Sequence, residues 1–312
     1  MNTLLLSHPV CLRHDSGPHH PESADRLKAI MQALEAEEFS YLIRETAPKA
    51  TREQLLRAHS AAYIDHIFGM LPPPGEYREI DDDTVISCHS GEAALYAAGA
   101  VCAAVDEVAA GHCHNAFCAV RPPGHHAERD GTSGFCLFNN AAVGALHAMA
   151  ARGFKRVAVV DFDVHHGNGT EAILRPHAGT FYASSHQAEM FPFTGGADDS
   201  GQEGGAVIVN VPLPAESGSE AFRRAYGTVI LPRLRAFAPD FLIISAGFDG
   251  HAADPMADLR LQRGDFDWVT GQLLQVAKEF CGLRLVSVLE GGYDIHALAA
   301  CVASHLHILM GR

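Results

Sequence analysis

Basic residues are scarce in this chain: 23 Lys and Arg stand against 37 Asp and Glu, for a formal charge of −14. Nucleic-acid binders neutralise phosphates with basic patches, so that class is set aside. The acidic balance is compatible with a cationic substrate, but many soluble proteins are acidic. Charged residues are few overall, at 19%, and there is no low-complexity tract, which excludes a disordered chain. The eight cysteines show no Cys-x-x-Cys spacing and sit mostly in apolar stretches such as Ala116-Phe-Cys-Ala-Val120. They read as reduced thiols of a cytosolic protein. The N-terminus lacks the basic segment and long apolar stretch of a signal peptide. No apolar run is expected to reach membrane-spanning length.

With 312 residues, 47% of them hydrophobic, the chain can bury a large core, and it reads as a single domain over 1–312. Short apolar runs at 4–6, 116–120, 157–162, 180–183, 207–211, 241–245 and 285–289 predict seven strands. Amphipathic stretches at 21–37, 52–70, 91–110, 139–152, 219–237, 263–280 and 295–310 predict helices between them. This alternation, with strands apolar on both faces, implies an α/β fold around a buried parallel sheet.

Polar residues follow five of the predicted strands, where open parallel sheets place their sites. The clearest is Val157-Ala-Val-Val-Asp-Phe-Asp-Val-His-His-Gly-Asn168. In an extended chain alternate residues share a face, so Asp161, Asp163 and His165 converge at the strand's end. Carboxylates beside a buried strand need a compensating positive charge, and mixed oxygen and nitrogen ligands suit zinc, iron or manganese. Asp249, after another strand, is the best third ligand beside Asp163 and His165. Three protein ligands leave a zinc position for water and substrate. His125 and His126 are candidates for general base and acid, oriented by Asp161 and Asn168. Tyr293, in Glu290-Gly-Gly-Tyr293, is a candidate oxyanion donor.

These motifs resemble the zinc-dependent histone deacetylase/acetylpolyamine amidohydrolase superfamily, most closely its class II branch. The resemblance runs from His20-Pro-Glu-Ser-Ala-Asp-Arg26 to Tyr293 and includes Arg121-Pro-Pro-Gly-His-His126, Ser133-Gly-Phe-Cys-Leu-Phe-Asn-Asn140 and Ser245-Ala-Gly-Phe-Asp249. It implies an arginase/deacetylase-like α/β domain with a mainly parallel eight-stranded sheet flanked by helices on both faces. It also implies Zn(2+) on Asp163, His165 and Asp249, with His126 and Asn168 as the proton-transfer pair. Many relatives carry Asp at the Asn168 position, so the basicity of His126 is tuned differently here. His125 with Asp161 becomes the electrostatic pair, and Tyr293 binds the substrate carbonyl.

Gly134, Phe135 and Phe191 match walls of an acyl-lysine tunnel, and Arg26 matches an arginine near an acetate-release cavity. Asp161 and Ser184 match a structural K(+) site. Asp83 matches an aspartate that holds the substrate backbone. Met256 stands where a dedicated polyamine deacetylase has an acidic gatekeeper, which tilts the expectation mildly toward acyl-lysine or a broad substrate range, with acylated lysine peptides or proteins and acetylated polyamines both as expected partners. His166 should point to the opposite strand face and pack. The alternatives are a two-manganese ureohydrolase, disfavoured by His166 and Asn168 where bridging carboxylates are needed, and an acyl-lysine-binding protein without catalysis. No nucleic-acid or membrane partner is expected. Oligomeric state is left open, a homo-oligomer included.

Overall fold

A computed structural model describes residues 1–202 and 205–312. Its ten strands are β1 (Thr3–Ser7), β2 (Ile43–Thr46), β3 (Arg78–Glu79), β4 (Val85–Ile86), β5 (Asn115–Cys118), β6 (Val157–Asp161), β7 (Thr180–Gln187), β8 (Val207–Leu213), β9 (Phe241–Ala246) and β10 (Leu285–Leu289). Eight form one sheet in the order β2-β1-β5-β10-β9-β6-β7-β8, and every pairing is parallel. The sheet is therefore wholly rather than mainly parallel. The strand missing from the apolar-run reading is β2, Ile-Arg-Glu-Thr, exposed along its length at the sheet edge. An edge strand with solvent on its side carries no continuous apolar signal. The remaining two strands, β3 and β4, form a small antiparallel hairpin.

The central strands are buried at every residue, as Val157-Ala-Val-Val-Asp161 and Leu285-Val-Ser-Val-Leu289 illustrate. Helices Ser90–Ala110 and Asn140–Arg152 pack on each other and on the sheet. Helix Ile295–Leu309 packs between Ala24–Ala33 and Arg263–Val276. The expectation that no apolar run reaches membrane length is corrected by Ser90–Ala110. It has 21 residues and a mean hydropathy of 1.5 in its best window, so it passes by length and composition. Ala93, Ala94, Ala97, Ala98, Ala100 and Ala104 are core residues of this fold, with 61% of that window buried.

Three predicted helices are interrupted. The stretch 52–70 divides into Arg52–Leu56 and Ala61–Gly69, because Thr51 and Ser60 each cap a new N-terminus through their hydroxyls. The stretch 219–237 widens into a π turn at Tyr226–Ile230, just before Pro232, which has no N–H to continue the ladder. The stretch 263–280 ends in another π turn, Ala277–Cys281.

His305 lies inside this core. Thr270 Oγ1 donates to the Phe266 carbonyl and so accepts from His305 Nδ1 at 2.7 Å, leaving Nε2 to accept from Ser287 Oγ at 2.9 Å. Burial among Phe117, Phe162 and Phe248 pushes its pKa down to about 3. An unfolded histidine titrates at about 6.5, so between these values the unfolded chain binds the extra proton. The stability contributed by neutral His305 is complete above that unfolded value and is lost as pH falls toward the folded one. In urea unfolding at a series of pH values, His305→Gln should flatten the pH slope of stability between about pH 4 and 6, by at most about 1.4 kcal/mol per pH unit. An unchanged slope would show that His305 does not titrate on unfolding.

Candidate active site

Four adjacent strands, β5, β10, β9 and β6, deliver their C-terminal ends to one place. β6 runs into Asp161, Asp163 and His165, β9 into Asp249, β10 into Glu290–Tyr293, and the chain after β5 into His125 and His126. One ligand atom each from Asp163, His165 and Asp249 lies within 4.8 Å of the others, and all three residues are buried. His165 Nδ1 sits 3.0 Å from Asp163 Oδ1 and 3.2 Å from Asp249 Oδ2. Asp249 Oδ1 accepts the Val164 N–H at 2.9 Å, while its buried Oδ2 has no hydrogen bond.

A Cβ at Gly291 would run into the carboxylates of Asp249 and Asp163, and one at Gly247 into Asp163. Glycine at both positions keeps backbone close around the three donors. An orphaned carboxylate oxygen, one imidazole and a second carboxylate in such a cradle fit a divalent cation with an open position.

Electrostatics agree with that fit. Burial alone would lower His165, but the hydrogen bond to Asp163 and the nearby Asp249 carboxylate override it and raise its pKa to about 10. Asp249 is pushed up to about 7 by burial and the neighbouring Asp163 charge. Burial works against Asp163 too, yet the charges of His125 and His165 hold it well below the usual carboxylate range.

His125 and His126 have opposite environments although their rings lie 4.0 Å apart. His125 Nδ1 is 3.0 Å from Asp161 Oδ2, and Asp163 and Asp161 raise its pKa against the effect of burial. His126 is pushed well below its ordinary value by burial and by the charges of His125 and His165. Its Nδ1 lies 2.8 Å from Asn168 Oδ1. One histidine is therefore held charged and the other neutral.

Above them lies a cavity of about 310 Å³ lined by Asp83, His126, Gly134, Phe135, His165, Met190, Phe191, Met256 and Tyr293. Phe191 stands edge-on to His126 at 5.0 Å, and Phe135 edge-on to Tyr293 at 6.0 Å. Gly134 has φ +55°, and a Cβ there would collide with the His126 ring. Asp83 Oδ1 accepts the Gly134 N–H at 2.9 Å, so this carboxylate braces the wall it lines.

The other sequence-derived positions are also placed. Asp161 and Ser184 are register neighbours on β6 and β7. Asp161 bonds His125 and the Asp163 N–H, and Ser184 Oγ pairs with His186. Arg26 is buried beneath Tyr293, 4.9 Å from its ring centre. It donates to the carbonyls of Gly292 at 2.6 Å and Glu290 at 2.5 Å. His166 bonds Thr194 and Glu171 and stands apart from the three-donor cluster.

Several residues to which sequence reasoning assigned no role support this constellation. Glu290 accepts the Gly124 and His125 N–H groups at 2.7 and 3.2 Å and so fixes the histidine turn. Asp254 accepts from Tyr293 N at 2.6 Å and from Met256 N at 3.0 Å. Glu22 receives both Arg121 and Arg26, joining the Tyr293 loop to the chain after β5. Glu290 and Arg121 lie inside quoted motifs, a signal available from sequence. Glu22 also lies inside a quoted motif, but its bond to Arg121 spans 99 positions, and Asp254 meets Tyr293 across 39.

A buried parallel sheet whose strand ends gather a three-donor cluster, two histidines in unlike environments and an apolar-walled cleft defines an α/β fold with a candidate metal centre. The histidine and Tyr293 motifs lie inside residues 20–309, which match the histone deacetylase domain, and the chain belongs to that family. Type-2 histone deacetylase 2 of Dictyostelium discoideum is 36% identical over 353 residues, covering 99% of this chain but only 21% of its own length. The chain therefore spans about a fifth of that relative. A histone deacetylase-like amidohydrolase of Pseudomonas aeruginosa is 35% identical, over 97% of this chain and 84% of its own. The solved HDA15 HD domain superposes with a TM-score of 0.93 at 34% identity, covering 100% of this chain and 88% of that one.

Replacing Asp249 with Ala should abolish tight zinc binding; the fold should survive the loss of one hydrogen bond, from Val164 N–H, at some cost in stability. Metal analysis after dialysis against zinc checks this. A variant that still held zinc as the wild type does would remove Asp249 from the ligand set.

Proposed function

We propose that the chain is a zinc-dependent deacylase that hydrolyses the amide of acyl-lysine side chains in peptides or proteins. The observation that carries this reading is that His126, Tyr293 and His165 line one apolar-walled cleft, His165 being a member of the three-donor cluster with Asp163 and Asp249. Asp163, His165 and Asp249 would hold the zinc, which when bound supplies Lewis acidity toward a carbonyl and acidifies water.

The protein's own groups do the rest. His126, neutral and donating Nδ1–H to Asn168, keeps Nε2 as acceptor for the proton of the attacking water and returns that proton to the departing amine. His125, charged and held by Asp161, stabilises negative charge developing beside it. The Tyr293 hydroxyl donates to the carbonyl oxygen as it becomes anionic, and burial keeps that phenol protonated. Phe135 and Phe191 clasp an alkyl stem and exclude water from the cleft. Asp83 sits at the wall, within reach of a substrate backbone N–H. A structural potassium beside Asp161 and Ser184 belongs to the same reading, supported by their register pairing.

Acetylated polyamines are the second substrate class. They carry a further ammonium group, and Met256 offers it a thioether and no charge at the cleft rim. That disfavours them as the main substrate.

Turnover of acetyl-lysine peptides, longer acyl-lysine peptides and acetylated polyamines, measured side by side with the zinc-loaded protein, tests the assignment. Acyl-lysine peptides are expected to give the highest kcat/KM. A preference for polyamines would overturn the substrate, and no turnover of any of them would overturn the activity.

Tyr293→Phe removes one hydroxyl and keeps the ring that packs on Phe135. Loss of an oxyanion donor commonly costs about 10²–10³ in turnover. The expected variant is folded and zinc-loaded, with kcat reduced by that order and KM little changed. Unchanged kcat would place Tyr293 outside the transition state.

A further inference from the structure

The neutral amide of Asn168 poses a problem that a carboxylate in its place would not. Either end of an amide can face an imidazole, and the two ends select opposite tautomers. If Oδ1 faces His126, Nδ1 carries the proton and Nε2 is free to act as base. If Nδ2 faces His126, Nδ1 must be the acceptor and Nε2 carries the proton, which leaves no base toward the cleft.

The structure holds a device that decides between them. Asn168 Nδ2 donates to Glu128 Oε1 at 2.8 Å while Asn168 Oδ1 faces His126 Nδ1. A carboxylate only accepts, so a flipped amide would set its oxygen against the Glu128 carboxylate and lose that bond. We infer that Glu128 is a positioning residue: it locks the Asn168 amide and thereby the base-competent tautomer of His126. This rests on the reading of His126 as the proton-transfer residue. On sequence alone Glu128, two residues after His126 and followed by Arg129 and Asp130, is an ordinary solvated charge. Its side chain is exposed and its role is visible only through Asn168, 40 positions away.

Because Glu128 is exposed, Glu128→Ala can remove the lock without disturbing the core. The backbone bonds from Glu128 N to the Gly131 carbonyl and from His59 Nδ1 to the Glu128 carbonyl do not involve the side chain. Outer partners of this kind are typically worth about 10- to 100-fold in activity. Glu128→Ala should lower kcat by about the smaller of those factors, with KM and zinc content unchanged.

The decisive arm is the same substitution in an Asn168→Asp background. A carboxylate accepts from Nδ1–H through either oxygen and needs no lock, and the introduced carboxylate beside Glu128 would set two like charges together. There Glu128→Ala should cost nothing or restore activity. A merely structural Glu128 would cost the same in both backgrounds.

Imidazole nitrogen-15 shifts of the metal-free protein, with His126 assigned by difference against His126→Ala, give a readout independent of turnover. They should report Nδ1–H in the wild type and a tautomer mixture in Glu128→Ala. Equal kinetic cost in both backgrounds, or an unchanged tautomer, overturns the inference. Inactivity of the wild type on every acyl substrate would instead overturn the proposed function, while the tautomer measurement would still decide the role of Glu128.

Discussion

Asp161, Asp163, Asp249 and Glu290 are all buried at the ends of the adjacent strands β6, β9 and β10. Carboxylates in such surroundings cannot all remain charged without compensation, since desolvation and mutual repulsion act in the same direction. The site is organised around meeting that constraint. His165 and His125 are drawn up in pKa, Asp249 and Glu290 are pushed up to about 7 each, and backbone N–H groups of Gly124, His125, Val164 and Gly291 point at the oxygens. A cation bound among Asp163, His165 and Asp249 relieves the same strain more directly. The cradle's fit to a cation and the unequal charges of the two histidines thus share one origin.

The asymmetry of the two adjacent histidines follows from it. His125 faces the carboxylates and is held positive, and its charge helps keep His126 neutral. A pair of identical side chains is thereby pushed to opposite pKa directions by environment alone. Neutrality leaves the His126 tautomer to be set by hydrogen bonding, which gives Asn168 and the residue behind it a chemical consequence.

The Tyr293 loop is held from several sides. Arg26 grips its carbonyls, Asp254 its N–H groups, and Asp163 accepts the Gly291 N–H at 2.8 Å. The same carboxylate that faces the metal position therefore also fixes the loop carrying the phenol. Buried Glu22, paired with Arg26 and Arg121, ties this loop to the segment leading into His125. These ion pairs are fully buried, where breaking one partner costs far more than a surface pair. They bring distant chain segments together with little freedom, which an active site assembled from loops requires.

Much of this was readable in the chain. Apolar strands buried on both faces announce themselves by composition, and ligands at alternate positions after β6 follow from strand geometry. Short motifs carried His125, His126, Asp163, His165, Asp249 and Tyr293, because groups that must converge at a strand end leave polar residues where apolar ones would continue. The edge strand β2 was not readable, since solvent on its face erases the pattern. Nor was the apolar helix Ser90–Ala110 interpretable by itself, because core and membrane burial demand the same residues. The contacts that set protonation and orientation, Glu22 to Arg121, Asp254 to Tyr293 and Glu128 to Asn168, each join residues far apart in the chain. Which residues can do the chemistry is a property of local sequence. Which proton each one carries depends on charges and hydrogen bonds across the fold, and only tertiary structure supplies those.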